Sequence, residues 1–423
     1  MLLPDTGLTN LTYYNLQRMK TNSSNNAAYF LWPLVIIGVM FFAIGFALGI
    51  NSYLVPLLNN ALEISSGESY LVLAATFSAF LIFGYPASLL ISKIGYKRTM
   101  ALSFLMFALG FLLFIPSAKY ESLLLFLLAS FISGAGNAFL QASVNPYITI
   151  MGPMESAAKR MSFMGIANKL AWPIAPLFLA LVISKSVDEV VLTDIYLPFF
   201  IIIGVFLLLG VLALLAPLPE VKAAGEDEEA AEDCPYAAGK TSIWQFPHLL
   251  LGVLALFVYV GVETISLGTL IDYAESIGLP NPEAYAWIAP VGMVLGYIGG
   301  IVFIPKYLSQ SQALKIVSTI AIFGSLMVVL MPENISIFFI VFMALGCSLM
   351  WPALWPLAMT DLGKFTKTGS SLMVIAIVGG AVFPTLYGFI KDAVGAQDAY
   401  WIVVPGFLYI LYYGLKGHQI RTK

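Results

Sequence analysis

The sequence predicts an all-α integral membrane protein in which twelve transmembrane helices form two pseudo-symmetric six-helix bundles. Three observations support this fold class. The 423 residues are 60% hydrophobic and only 10% charged, whereas soluble globular domains are about a quarter charged. Apolar runs recur from near residue 30 to residue 415, and each is long enough to cross roughly 30 Å of hydrocarbon as a helix. One long polar segment divides these runs into six and six.

Short polar or Gly/Pro loops separate the predicted spans, which we number in chain order. The spans cover residues 30–57, 70–92, 99–117, 122–150, 161–184, 194–216, 246–276, 285–305, 313–331, 335–360, 369–390 and 399–415. The predicted organisation is therefore an N-terminal tail, a first bundle, an acidic linker, a second bundle and a C-terminal tail, at residues 1–28, 29–216, 217–245, 246–415 and 416–423. The N-terminal tail precedes a span too long for a signal-peptide core, so we expect it to be retained.

The distribution of basic residues predicts that both termini are cytoplasmic. With this orientation, sixteen of the 20 Lys and Arg residues fall in cytoplasmic segments, and three fall outside, namely Lys119, Lys185 and Lys391. Such an excess is what the positive-inside rule requires of cytoplasmic loops. The remaining basic residue, Lys169, lies inside a span.

The polar segment between spans 6 and 7 contains an acidic cluster, Glu226 to Asp233. Its charges repel one another, which favours an extended, solvated linker. The two cysteines, Cys234 and Cys347, have neither disulfide nor metal-ligand spacing. The sequence contains no metal cluster, nucleophile–base arrangement or nucleotide loop. We therefore expect neither an enzyme nor a resident cofactor or metal, and the partners we expect are the lipid bilayer and a small molecule rather than nucleic acid.

The two halves of the chain repeat a pattern of Pro and Gly. The separations are 6 and 21 residues in spans 4 and 5, and 7 and 21 residues in spans 10 and 11. The residues concerned are Pro146, Gly152 and Pro173 in the first half and Pro356, Gly363 and Pro384 in the second. Two halves that rock about a site at the midplane are typical of secondary transporters.

Lys169 occurs in FMGIANKLAWPIAP, within span 5. A charge at the bilayer centre costs roughly 2.5 kcal/mol or more, so such residues face a cavity or a charged partner. We predict that Lys169 lies near the midplane opposite Glu263 of span 7, which would join the two halves. Two structural interpretations remain open: Lys169 could bind carbonyl groups freed by Pro173 or Pro176, and the pair could stay ionised throughout.

Five stretches carry a more specific pattern. They are LNNALEISSGESYLV, LQASVNPYITIMGP, RMSFMGIANKLA, YVGVETISLGTLIDYA and WPLAMTDLGKFTKTGSSLMVIAIVGGAVFP. They resemble the major facilitator superfamily and, within it, the fucose–glucose–galactose symporter family of bacterial sugar permeases, especially its glucose/galactose branch. The resemblance implies a functional monomer in the bacterial cytoplasmic membrane that imports a hexose by alternating access, with H⁺ as the co-transported ion.

Two departures from that family leave the mechanism open. The L-fucose permease branch has carboxylates in spans 1 and 4 at positions that match Ser52 and Gln141 here, so the coupling-ion candidates become Glu263 and Asp272. Coupling to Na⁺ and uniport therefore remain alternatives. The loop SKIGYKR is similar to the superfamily's basic loop between spans 2 and 3, but Ser92 replaces its acidic residue.

The remaining candidates concern binding and gating. Sugar hydroxyls require amides and charged donors, and the apolar ring face requires an aromatic platform. The substrate-binding candidates are Asn51, Gln141, Asn145, Asn168, Lys169, Glu263, Trp351 and Trp355. The gate candidates are Lys93, Lys97, Arg98 and Asp361, with Asp361 beside Lys364 and Lys367, while Asp272 is expected at the external rim. The alternative substrates are an N-acetylhexosamine or fucose, and the alternative function is a membrane sugar sensor that does not transport.

Overall fold

The computed structural model describes residues 23–150, 157–185, 189–218, 236–237, 239–304 and 306–421. The acidic cluster of the linker, Cys234, Gly152 and most of the N-terminal tail lie outside these ranges. Within them, eleven helices are long and apolar enough to cross a membrane. These are Trp32–Ala61, Ser66–Ile91, Lys93–Lys119, Leu123–Asn145, Arg160–Ile183, Leu192–Leu215, Pro247–Gly268, Pro282–Phe303, Gln310–Leu330, Glu333–Met359 and Ser371–Val394. They correspond to spans 1 to 11.

The twelfth span is built from two short pieces. A 3₁₀ helix over Asp398–Ile402 leads directly into an α-helix over Val403–Leu415. Because a 3₁₀ helix rises about 2.0 Å per residue and an α-helix about 1.5 Å, the two pieces together reach about 30 Å. This length suffices to cross the hydrocarbon core. The all-helical fold class with twelve membrane segments is therefore confirmed.

Two features of the predicted spans differ in detail, the junction of spans 2 and 3 and the end of span 7. Spans 2 and 3 follow one another directly within Leu71–Lys119, and non-helical backbone at Gly95, with φ of 83°, separates them. A side chain is strained at this φ, so glycine marks the turn. Span 7 ends at Gly268, and a separate helix, Leu270–Ser276, follows it. Asp272 therefore lies on a distinct short helix.

The internal repeat is visible in helix packing. A Cβ atom at Gly45 of span 1 would lie 1.9 Å from the carbonyl oxygen of Asn168 in span 5. In the second half, a Cβ atom at Gly379 of span 11 would lie 1.8 Å from the carbonyl oxygen of Phe257 in span 7. Spans 1 and 5 thus cross as closely as spans 7 and 11, and in both pairs glycine permits the approach of the two backbones.

The same correspondence holds one turn further along. Gly49 of span 1 meets the backbone of Trp172, and Gly261 of span 7 meets the ring of Phe383. The number of residues from Gly45 to Phe257 equals the number from Gly49 to Gly261, so one constant offset relates span 1 to span 7. A second constant offset, from Asn168 to Gly379 and from Trp172 to Phe383, relates span 5 to span 11. By the first offset, Asn51 in the first half corresponds to Glu263 in the second.

The two halves meet through aromatic rings that lie on glycine. Phe77 of span 2 covers Gly380 of span 11, and the Tyr297 ring of span 8 covers Gly165 of span 5. A Cβ at either glycine would lie 2.7 Å from a ring carbon. These contacts place spans 2, 5, 8 and 11 at the interface between the halves, with spans 1 and 7 between them.

Candidate functional site

The candidate site is centred on an ion pair between the two halves. The Lys169 Nζ atom lies 3.1 Å from Glu263 Oε1, and the two side chains are 9% and 12% exposed. Lys169 lies near the middle of the helix Ala157–Ile183, which places it deep within the apolar layer. The structure therefore brings together Lys169 and Glu263, which their expected depth and their opposite charges had paired in the sequence. Lys169 binds this carboxylate and not the carbonyl groups freed by Pro173 or Pro176.

Two aromatic residues hold this pair in place. The Tyr259 hydroxyl donates a 2.6 Å hydrogen bond to Glu263 Oε1, and the Lys169 ammonium lies 5.5 Å from the ring centroid of Trp172. The Trp172 indole N–H donates a 2.8 Å hydrogen bond to Ser52 Oγ. A buried ion pair is stable only when further bonds satisfy its members, so Tyr259, Trp172 and Ser52 belong to the site.

Sequence reasoning missed Tyr259 and Trp172 as members of the site. A signal was present, because Tyr259 precedes Glu263 by four residues and Trp172 follows Lys169 by three. Side chains at these spacings share a helix face. Aromatic residues are common in membrane helices, however. A spacing of three or four residues therefore indicates a site residue only when the neighbouring residue is a buried charge.

The predicted aromatic platform lies next to Glu263. The ring centroid of Trp351 is 6.3 Å from that of Tyr259. Trp351 and Trp355 stack with centroids 5.5 Å apart and an interplanar angle of 25°, and both residues are half-buried. Tyr259 of span 7 and Trp351 and Trp355 of span 10 thus form a row of rings that begins at the ion pair.

The predicted amides lie in the first half, where hydrogen bonds orient three of them. Asn51 Nδ2 donates to Thr76 Oγ1 at 3.1 Å, Gln141 Nε2 donates to Asn137 Oδ1 at 2.9 Å, and Asn168 Nδ2 donates to the Phe41 carbonyl at 3.0 Å. An amide NH₂ group has two hydrogens, so each bond fixes the side chain without using its full capacity. Asn51 and Asn168 are buried, whereas Gln141 and Asn145 are half-buried.

Asp272 belongs to a different cluster. Its carboxylate accepts a bond from Lys391 Nζ at 2.5 Å and another from the Tyr70 hydroxyl at 2.8 Å. Asp272 is 4% exposed, so it is buried among these partners, and its expected place at the external rim stays a prediction. Lys391 and Tyr70 come from spans 11 and 2, and no sequence pattern linked these residues to Asp272.

The gate candidates lie at the end of the bundle that carries the termini. Lys93 and Arg98 are exposed and Lys97 is half-buried. Asp361 is bonded to Arg421 of the C-terminal tail, with 3.5 Å between Oδ2 and Nη2. The side chains of Lys364 and Lys367, the predicted neighbours of Asp361, lie outside the described part of the structure. Within the described ranges, no group of three or more His, Cys, Asp or Glu residues could hold a metal ion.

Comparisons with known proteins agree with this architecture. A sequence profile described as Major Facilitator Superfamily matches residues 36–385. The chain is 32% identical to the glucose/galactose transporter of Brucella abortus biovar 1 (strain 9-941), over 97% of this chain and 99% of that protein. It is 25% identical to the L-fucose-proton symporter of Escherichia coli (strain K12), over 92% of this chain and 93% of that protein.

A solved structure shows the same fold. The transporter FucP in its outward conformation superposes with a TM-score of 0.70 at 25% identity, over 91% of this chain and 98% of FucP. The profile match and the full-length relatives together show that this chain is a multi-pass membrane transporter, not an enzyme, and that it belongs to the Major Facilitator Superfamily.

Proposed function

We propose that this transporter imports a hexose, glucose or galactose, by alternating access, and that protons drive the uptake. The observation that carries the proposal is the buried Lys169–Glu263 pair, which joins the two halves beside a row of aromatic rings. The names of the relatives, a glucose/galactose transporter and an L-fucose-proton symporter, support the sugar and the proton. The basic loops support cytoplasmic termini in a bacterial inner membrane, and the unit of transport is a monomer.

Sugar recognition combines the two halves. The row of rings Tyr259, Trp351 and Trp355 offers an apolar platform, on which a sugar ring face can stack. Gln141 and Asn145 of span 4 offer amide donors and acceptors for the sugar hydroxyls, and Lys169 supplies a charged donor. Substrate binding thus draws spans 4 and 5 towards spans 7 and 10.

Coupling follows from the position of the ion pair. Because Lys169 and Glu263 belong to different halves, rocking of the halves changes their separation. A buried carboxylate without its cation is far more costly than the neutral acid. Glu263 therefore takes up a proton when Lys169 moves away, and it releases the proton when the pair forms again. Tyr259 moves with Glu263 because both are on span 7, so its hydroxyl stays beside the Glu263 side chain in both the ionised and the neutral form.

The test is uptake of labelled glucose and galactose into proteoliposomes under an inward proton gradient, an inward sodium gradient, or no ion gradient. We expect accumulation with the proton gradient alone. Glu263→Gln should abolish accumulation while sugar exchange across the membrane persists, because a neutral side chain mimics the protonated state. Glu333→Gln, at an exposed carboxylate on the first residue of the span 10 helix, is the matched control.

The other outcomes identify the alternatives. Accumulation driven only by sodium would assign the carboxylate to an ion site, and equilibration without accumulation would make the protein a uniporter. Binding without any flux would make it a sensor. Accumulation of fucose or an N-acetylhexosamine, with no glucose or galactose uptake, would replace the proposed substrate.

A further inference from the structure

Three hydrogen-bonded contacts join the halves at the end of the bundle opposite the termini. The first is the Tyr70 hydroxyl bond to Asp272 Oδ2, at 2.8 Å. In the second, Asp392 accepts bonds from the backbone N–H groups of Ser66 and Gly67 at 3.0 and 2.9 Å. In the third, Asn60 Nδ2 donates to Glu275 Oε1 at 2.7 Å.

The three contacts share one chemical pattern. Every acceptor is a carboxylate of the second half, and every donor is a neutral group of the first half. Lys391, the cation that compensates Asp272, is also in the second half. Separating the halves at this end therefore breaks charge-assisted hydrogen bonds but splits no ion pair, in contrast to the Lys169–Glu263 pair at the centre.

The Asp392 contact completes a short helix from across the interface. Helix Ser66–Ser69 has four residues, and its third N–H group, that of Glu68, bonds to the Ser65 hydroxyl in a capping box. The first two N–H groups, those of Ser66 and Gly67, bond to Asp392. Helices leave their first N–H groups without partners inside the helix, so the second half satisfies donors that the first half leaves open.

Packing around these bonds is close. A Cβ atom at Gly67 would lie 2.2 Å from the Phe389 ring, and one at Gly388 would lie 2.6 Å from the Tyr70 ring. The rings of Tyr70 and Tyr387 meet edge to face with centroids 5.6 Å apart. Tyr70 and Asp272 are both buried in this layer, which strengthens the hydrogen bond between them, whereas the Asn60–Glu275 bond is exposed.

We infer that Asn60, Ser66, Gly67 and Tyr70 of the first half and Asp272, Glu275 and Asp392 of the second form an external latch, which holds the outer side closed and sets the balance between inward-open and outward-open states. The assignment to the outer side rests on the orientation given under the proposed function. Because the latch breaks without exposing an unpaired cation or separating opposite charges, it can open and close in every transport cycle. Loss of one of its bonds shifts the population towards the outward-open state.

The test is labelling of a buried cysteine from outside. Leu73 is fully buried, lies one turn below Tyr70 in span 2, and would contact a Cβ at Gly268 of the second half at 3.6 Å. Leu73→Cys is labelled with a membrane-impermeant maleimide in right-side-out vesicles, and the chain without this substitution gives the blank. Adding Asp392→Asn should increase the labelling rate about tenfold, the change that corresponds to 1.4 kcal/mol.

Two further variants make the result decisive. Tyr70→Phe removes one hydroxyl and keeps the ring, so it should accelerate labelling without disturbing the packing. Asp194→Asn makes the same carboxylate-to-amide change at the same end of the bundle, but Asp194 bonds to Lys185 and Val191 of its own half. Its labelling rate should equal that of Leu73→Cys alone.

The outcomes separate the latch from the proposed substrate. Equal labelling rates for Asp392→Asn, Tyr70→Phe and Asp194→Asn would overturn the latch, whatever the protein transports. Faster labelling in the first two variants supports the latch even when neither glucose nor galactose is taken up. Where the sugar is transported, the external KM should also fall, because a larger fraction of the protein is ready to bind.

Discussion

The indole N–H of Trp172 is hydrogen-bonded to Ser52 Oγ at 2.8 Å, and the face of the same indole lies 5.5 Å from the Lys169 ammonium. Ser52 is the span 1 position at which the resemblance to the L-fucose permease branch would imply a carboxylate. Here a neutral hydroxyl positions the ring that lies beside Lys169, while the carboxylate that neutralises Lys169 comes from span 7. The negative charge beside Lys169 is therefore supplied by the second half.

Ser52→Ala should reduce the free energy of unfolding by about 1–3 kcal/mol, because it leaves the buried indole N–H without an acceptor. The measurement is the thermal unfolding midpoint in detergent. Ser130→Ala is the control, since the Ser130 hydroxyl is also buried but has no hydrogen-bond partner among the described residues. Equal destabilisation by the two substitutions would show that the Trp172 bond contributes nothing.

Lys169→Met should destabilise the protein by about 3 kcal/mol, because it leaves the Glu263 carboxylate buried without its cation. The double variant Lys169→Met/Glu263→Gln should recover most of this stability and still fail to accumulate sugar. Unfolding midpoints and uptake are measured on the same preparations. Lys185→Met breaks a more exposed pair with Asp194 and should change stability by less than about 1 kcal/mol. Additive effects of Lys169→Met and Glu263→Gln would contradict a direct pair.

Gly45→Ala and Gly379→Ala should each destabilise the fold by about 1–3 kcal/mol, because the added methyl group would collide with a backbone carbonyl of the facing helix. Similar losses are expected, since the two glycines occupy corresponding crossings in the two halves. Gly299→Ala is the control: a Cβ at Gly299 meets nothing within 4 Å, so the substitution should be neutral or slightly stabilising. Unfolding midpoints measure all three, and a neutral Gly379→Ala would refute the predicted crossing of spans 7 and 11.

Trp351→Ala should weaken sugar binding by about tenfold, because it removes the ring next to Tyr259 and with it about 1.4 kcal/mol of stacking. Binding is measured by tryptophan fluorescence or by sugar-dependent thermal shift. Trp401→Ala removes a ring that is 46% exposed at the start of span 12, and it should leave the affinity unchanged. Equal affinities for Trp351→Ala and the parent would remove Trp351 from the platform.

The fold could be predicted largely from the sequence, because hydrocarbon thickness fixes the length of a span and basic residues mark the loops. The Lys169–Glu263 contact could also be predicted. Each is a charge that the bilayer penalises, so each requires a partner at its own depth, and few such charges exist.

Other parts of the site depend on tertiary structure. The burial of Asp272 requires Lys391 and Tyr70, which reach it from spans far away in the chain. Asp361 pairs with Arg421 because the C-terminal tail folds back, and the linear sequence places Lys364 and Lys367 much nearer. The break after Gly268 was also missed, since hydropathy remains high across it.

The interface between the halves has a mechanical consequence. Four of its contacts place a flat aromatic ring on glycine: Phe77 on Gly380, Tyr297 on Gly165, Phe389 on Gly67 and Tyr70 on Gly388. Inside the halves, Gly45 and Gly379 place one backbone against another, and Gly261 meets a ring. Glycine has no side chain to interlock with the ring, so we expect each ring to slide over the facing helix when the two halves rock. We expect these ring contacts to lower the activation barrier for rocking in both directions equally and so to affect the turnover rate, while the polar contacts set the equilibrium between the two states.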